Sequence, residues 1–112
     1  MRRFAIATIG AALLLAVAAP ALAMSKQLAA MMLGVAQAVQ RDGRCPFAID
    51  PAGVFDVVDG AGLLVDDVRL GGQYYSATVA ADEWLSNRLK LDHAAACNVA
   101  WGALYPTMAR RR

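Results

Sequence analysis

The chain has 112 residues, of which 59% are hydrophobic, and a formal net charge of +2 at pH 7. This length allows one small domain and no second one. A net charge this small does not support a basic nucleic-acid binder. Nine of the basic residues are arginines and two are lysines, a bias typical of GC-rich bacterial genomes.

The first 23 residues have the layout of a secretory signal peptide. Arg2 and Arg3 form a basic start, an apolar stretch begins at Phe4, and residues 21–23 read Ala-Leu-Ala. Small residues at these positions are typical of a signal-peptidase site. We expect cleavage after residue 23 and export to the periplasm or the outside of a bacterial cell. The alternative is a retained signal anchor, because the apolar stretch just reaches the ~20 residues of a membrane span.

Cleavage would leave a chain with balanced charge and a basic end. Without Arg2 and Arg3, nine basic residues stand against nine acidic ones, and the last three residues are all arginine. Pro106 is expected to end the last helix. We therefore predict a helical domain over 24–106 and a disordered basic tail over 107–112. No stable membrane insertion is expected after cleavage.

Capping residues and apolar spacing predict two helices in the first half of the domain. Ser25 is a good N-cap, and the first helix should run to about residue 41, with Gly43 as its stop. Its apolar stripe is Leu28, Met31, Met32, Val35 and Val39. Asp50 followed by proline is a strong start for a second, short helix that ends at Gly60.

Two further helices are predicted in the second half. The helical period returns at Gln73 and continues to about Lys90, and Asp92 can cap a fourth helix through about Tyr105. Aromatic residues on these two helices predict that the helices pack together. They are Tyr74, Trp84, Trp101 and Tyr105. Whether this stripe is core or lines a binding groove stays open at this point.

The two cysteines, Cys45 and Cys97, predict one disulfide. They are the only thiols in the chain, and in an oxidising compartment a pair in a small domain is expected to be bonded. A bond across this separation would stabilise the fold by roughly 4 kcal/mol in the chain-entropy account. The predicted fold class is therefore all-α, a small bundle of about four helices held by the Cys45–Cys97 disulfide.

His93 and Cys97 are the strongest candidates for a catalytic or metal-binding role. They lie four positions apart, which places both on one helix face, and Asp92 is adjacent. That spacing suits a metal ion or a nucleophile–base pair. A zinc site needs three or four ligands, the chain has a single histidine, and a disulfide would occupy Cys97. We therefore predict no catalytic residue, no metal ligand and no cofactor.

The second half of the chain resembles a group of small, uncharacterised secreted proteins of proteobacteria. The residues that carry the resemblance are 97–101 (Cys-Asn-Val-Ala-Trp), 104–106 (Leu-Tyr-Pro) and the Gly62-Leu63 pair. Those proteins are all-helical and periplasmic, with a leader, one early cysteine and a second in the last helix. In those proteins the last helix ends in a Tyr-Gly-Pro-like turn, whereas in this chain Pro106 directly follows Tyr105 without a glycine. The resemblance implies fold and compartment but no activity.

Three functional hypotheses follow from the sequence. The first is a non-enzymatic secreted module that binds another protein, because the sequence contains no recognisable group of catalytic residues. The second is an acid-activated periplasmic holdase chaperone, a class that is similar in size and in having one disulfide. At low pH the carboxylates would be neutralised, and repulsion between the remaining positive charges would loosen the packing of the helices. The third is a small enzyme or metal-binding protein that uses His93 and Cys97.

Overall fold

The computed structural model describes residues 24–112, so the predicted signal peptide lies outside the described residues. Four helices and two short strands follow one another along this part of the chain. They are α1 (Lys26–Asp42), β1 (Phe47–Ile49), α2 (Pro51–Gly60), α3 (Tyr75–Leu91), α4 (His93–Leu104) and β2 (Ala109–Arg111). The prediction of a mostly helical domain with four helices and one disulfide is confirmed.

The helix ends agree with the capping residues. The Ser25 hydroxyl accepts a hydrogen bond from the Leu28 amide at 3.1 Å, and the Asp92 carboxylate accepts one from the Ala95 amide at 3.2 Å. Each bond satisfies a backbone N–H that the first helical turn leaves without a partner. Gly43 ends α1 in the left-handed conformation, with φ of +71°.

The helices α1 and α3 form the most extensive contact of the fold. They approach closely because α1 presents small side chains: a Cβ atom placed on Gly34 would overlap the carbonyl oxygen of Thr78. The buried Thr78 hydroxyl donates a hydrogen bond to the Ala30 carbonyl at 3.1 Å. The predicted stripe is only partly correct, since Leu28 and Met31 are exposed and alanines take the contact face.

The predicted disordered tail is wrong. Residues 109–111 form β2, which pairs antiparallel with β1 in a register that sets Phe47 opposite Arg111. Met108 and Ala109 are buried. The arginines are also engaged, because the Arg110 guanidinium donates to the Asp50 carboxylate at 2.6 Å. The domain therefore extends past residue 106, and the strand pair closes its end.

The aromatic residues do not join α3 to α4 within the part of the chain that the structure describes. Trp101 packs on Phe47 of β1 and stacks on Tyr105, with ring centroids 5.1 and 4.4 Å apart. Trp84 lies on the exposed side of α3, under the guanidinium of Arg88. The helices α3 and α4 do contact each other, as predicted, but Trp84 and Trp101 are not packed against each other. Trp101 instead covers the two-stranded sheet.

Candidate functional site

The disulfide joins the connector after α1 to the second turn of α4. Cys45 and Cys97 are bonded, with Cα atoms 5.5 Å apart, which lies in the usual range for this bond. Both side chains are buried. The predicted pairing is confirmed, and the described residues hold no free cysteine. A nucleophilic Cys97 would require this bond to be opened first.

His93 lies against the disulfide, and its carboxylate partner comes from a different helix than expected. The Nε2 atom of His93 is 2.9 Å from a carboxylate oxygen of Asp42, the last residue of α1. The ring nitrogens lie 3.7 and 3.8 Å from the Cys97 sulfur. The adjacent Asp92 caps α4 instead. Sequence spacing found His93 and Cys97, but only the tertiary contact between α1 and α4 brings in Asp42.

The environment of Asp42 favours its charged form. A hydrogen bond with His93 holds the pKa of the Asp42 carboxyl below its usual value, and the Arg44 backbone amide donates a second one at 3.0 Å. Partial burial acts in the opposite direction. Hydrogen bonds to a carboxylate stabilise the ionised state. Asp42 is therefore a carboxylate at neutral pH, directed at the histidine.

A second feature is an apolar groove between α2 and the chain that follows it. Its volume is about 440 Å³. The residues that line it are Pro51, Val54, Phe55, Val58, Asp59, Leu63, Leu64 and Val65. Phe55 and Leu64 are each 66% exposed and Val65 is 65% exposed. Large apolar side chains this open, next to one another, are typical of an interaction surface.

A short turn positions the part of the groove that follows α2, residues 63–65. Gly62 has φ of +72°, and Leu63 then enters the core. The Asp67 carboxylate accepts a hydrogen bond from the Leu64 amide at 2.9 Å across a 3-10 turn over Val65–Asp67. This turn points Leu64 and Val65 outward. The exposed side chains of Leu64 and Val65 therefore belong to an ordered segment that hydrogen bonds hold in place.

The chain segment that forms the groove is acidic in sequence. Residues 45–68 contain five aspartates and no lysine or arginine. One of them, Asp50, is paired with Arg110, and Asp66 lies 3.3 Å from Arg69 in an exposed pair. Asp56, Asp59 and Asp67 have no cationic partner among the ion pairs of residues 24–112. Asp59 is itself part of the groove wall.

Comparisons with protein-family models, with curated proteins and with solved structures found no match to this chain. None of the helices within residues 24–112 is long and apolar enough to cross a membrane.

Proposed function

We propose that the protein is a non-enzymatic binding module of the bacterial periplasm or exterior, and that its groove holds an apolar protein segment flanked by basic residues. The observation that carries this proposal is the groove itself, where Phe55, Leu64 and Val65 are exposed within a stretch of only acidic charge. The compartment is supported by the leader-like residues 1–23 and by the disulfide, which persists in oxidising surroundings.

Two physical contributions define the partner. Burial of apolar surface stabilises a complex by roughly 25 cal/mol per Å², so the open side chains favour an apolar occupant. Asp59 in the groove wall, within an acidic stretch of sequence, favours Lys or Arg next to that occupant, and the negative charge also speeds its approach. A partner with acidic flanks would be repelled by the same negative charge. The proposed ligand is therefore an apolar segment with positive ends.

Groove variants test this proposal with two synthetic peptides, a leucine-rich segment flanked by lysines and the same segment flanked by glutamates. We expect the wild-type protein to bind the lysine peptide more tightly. Phe55→Gln and Leu64→Gln should each weaken that binding about tenfold, because each removes a large apolar contact near the centre of the surface. Binding is measured by fluorescence anisotropy.

The matched control is Leu91→Gln. Leu91 is 86% exposed and is not one of the residues that line the groove, so it tests for nonspecific apolar contact. Its replacement should leave peptide binding unchanged. Equal loss of affinity in all three variants, or equal binding of both peptides, would contradict the proposal.

A specific observation also supports the acid-activated holdase as a second candidate. Two ion pairs link separate elements: Arg41 of α1 to Asp82 of α3, and Arg110 of β2 to Asp50 at the start of α2. The hydrogen bond from each arginine lowers the pKa of its aspartate. Protonation of both aspartates in acid would remove two of the links that hold the helices and strands together.

We expect thermal stability to fall in acid because of these pairs. A lowered carboxyl pKa stabilises the fold above the unfolded value of about 4, and that stabilisation is lost as the pH falls towards the lowered value. The melting temperature should therefore be constant from pH 7 to 5 and drop below pH 4, with dye binding to exposed apolar surface.

The control for the acid response is Asp82→Asn. Asp82 accepts hydrogen bonds from Arg41 and from Ser86, and Glu83 and Lys90 line the same cleft. The asparagine variant should be less stable at pH 7 and should lose less stability in acid. At pH 2–3 the wild-type protein should suppress aggregation of a model client. Client aggregation that proceeds unchanged would refute the holdase.

A further inference from the structure

We propose that reduction of the Cys45–Cys97 disulfide converts its surroundings into a zinc site with two thiolates, the His93 imidazole and the Asp42 carboxylate as ligands. Ligand atoms of these four residues all lie within 4.8 Å of one another. The cluster shares no residue with the apolar groove, and the proposal does not depend on the groove.

The chemistry of the donors suits Zn²⁺. Two sulfurs, one imidazole nitrogen and one carboxylate oxygen make a four-coordinate set of ligands that zinc prefers in proteins. The spacing is that of paired ligands: Asp42 and Cys45 are three positions apart, and His93 and Cys97 are four apart on α4. The first pair ends α1 and the second begins α4, so the ion would link two elements as the disulfide does.

The distances are close to those of a tetrahedral site. Bonds of about 2.3 Å to sulfur and about 2.0–2.1 Å to nitrogen and oxygen place tetrahedral ligand atoms roughly 3.3–3.8 Å apart. The His93 nitrogens are 3.7 and 3.8 Å from the Cys97 sulfur, and Nε2 is 2.9 Å from the Asp42 oxygen. Two pairs are closer than this range: the bonded sulfurs, which reduction lets separate, and the His93 nitrogen and Asp42 oxygen, which would move apart by about 0.4 Å to admit the ion.

The redox step is balanced by an external dithiol reductant. Its two S–H groups are oxidised to a disulfide while Cys45 and Cys97 gain one electron and one proton each and become thiols. Zn²⁺ then displaces the two thiol protons, which pass to solvent, and binds both thiolates. The oxidised protein retains only His93 and Asp42 as ligands, which is too few for tight binding. The cluster therefore has two alternative states, a disulfide and a metal site.

An ion can reach the cluster from one side. The sulfurs are buried, but 31% of the His93 side chain is exposed. Asp42 lines an open cleft of about 390 Å³. The guanidinium of Arg44 lies 3.4 Å from Oδ1 of Asp42, the carboxylate oxygen that His93 does not contact, and its positive charge competes with a cation for this carboxylate. Arg44 is largely exposed and free to move to solvent. Its replacement should therefore improve binding of a cation.

The experiment compares oxidised and reduced protein, both as the full exported domain. Co²⁺ is titrated first, since thiolate ligation gives charge-transfer absorption and a tetrahedral site gives intense visible bands. Zn²⁺ then displaces Co²⁺ in competition with a chromophoric chelator. We expect one ion per reduced chain and no binding by the oxidised chain. Far-UV circular dichroism of the same samples follows the helices, and zinc should preserve or restore helicity after reduction.

Variants distinguish the proposed site from two cysteines that bind metal by themselves. His93→Gln and Asp42→Asn should each weaken zinc binding at least about tenfold, the size typical for loss of a group that holds a metal. Arg44→Gln should strengthen it several-fold. Asp92→Asn is the matched control, because Asn caps a helix as well as Asp does, and it should bind zinc like the wild type.

Three results would overturn the proposal. The first is no metal uptake by reduced protein. The second is uptake that His93→Gln and Asp42→Asn leave unchanged, which would identify only a pair of thiols. The third is uptake without recovered helicity in a chain that reduction has unfolded, which would place the metal on the unfolded chain rather than on this cluster.

Discussion

Replacement of both cysteines by alanine is expected to lower the free energy of unfolding by roughly 4 kcal/mol, the chain-entropy contribution of a bond across this loop. Cys45 and Cys97 are 52 positions apart, so their bond greatly restricts the unfolded chain. A domain of this size has a total stability of only roughly 4–13 kcal/mol, at about 0.05–0.15 kcal/mol per residue. The double variant should therefore lose between about a third and all of the stability of the domain.

Urea unfolding of the oxidised wild type and of the Cys45→Ala/Cys97→Ala variant measures this difference. The reduced, metal-free wild type should unfold close to the variant, because both lack the bond. A variant with an unchanged urea midpoint would show that the four helices are held by packing alone. A variant much less stable than the reduced wild type would instead point to lost packing around the sulfurs.

Gly34→Ala is expected to destabilise the domain by about 1–3 kcal/mol, the range for overpacking of a tight interior. The added methyl group would overlap the Thr78 carbonyl oxygen and press on the backbone of Asp82. Both obstacles are backbone atoms of α3, so α1 and α3 would have to move apart. That displacement would disturb the hydrogen bond from the Thr78 hydroxyl to Ala30.

Gly102→Ala is the matched control for this substitution. Gly102 lies in α4, and a Cβ atom there meets nothing within 4 Å. Alanine should stabilise that helix by roughly 0.5–1 kcal/mol, because glycine loses more backbone entropy on folding. The two variants should therefore shift the melting temperature in opposite directions. A stabilised Gly34→Ala protein would contradict the close approach of α1 and α3.

The helices could be predicted because their signals are local. Ser25, Asp50 and Asp92 are cap residues next to periodic apolar positions, and each begins a helix where expected. The disulfide followed from composition, since two cysteines allow only one pair. In α1 the side chains that face α3 were harder to identify. Alanine carries little hydrophobic signal, so the apolar pattern predicts Leu28 and Met31 as core residues although both are exposed.

The strands and the candidate sites depend on contacts between distant residues. A run of three arginines at 110–112 is typical of a solvated tail, and nothing local indicates that β1 would pair with it. Nothing in the local sequence distinguishes Asp42 from an ordinary polar residue at a helix end, and only the fold places it 2.9 Å from His93. The apolar groove could not be predicted because Val54 and Phe55 fit the buried face of a short helix and Leu64 fits a buried connector, and only the tertiary structure shows that Phe55 and Leu64 stay exposed.

The pairing of β1 with β2 has a consequence for the order of assembly. A nascent chain that has been synthesised as far as Leu104 already contains all four helices. It still lacks the strand that covers Phe47, and the Asp50 amide has not yet met the Met108 carbonyl that it binds at 2.8 Å. Closure of this end of the domain therefore waits until residues 108–111 are available. Until then the backbone of β1 lacks its partner strand.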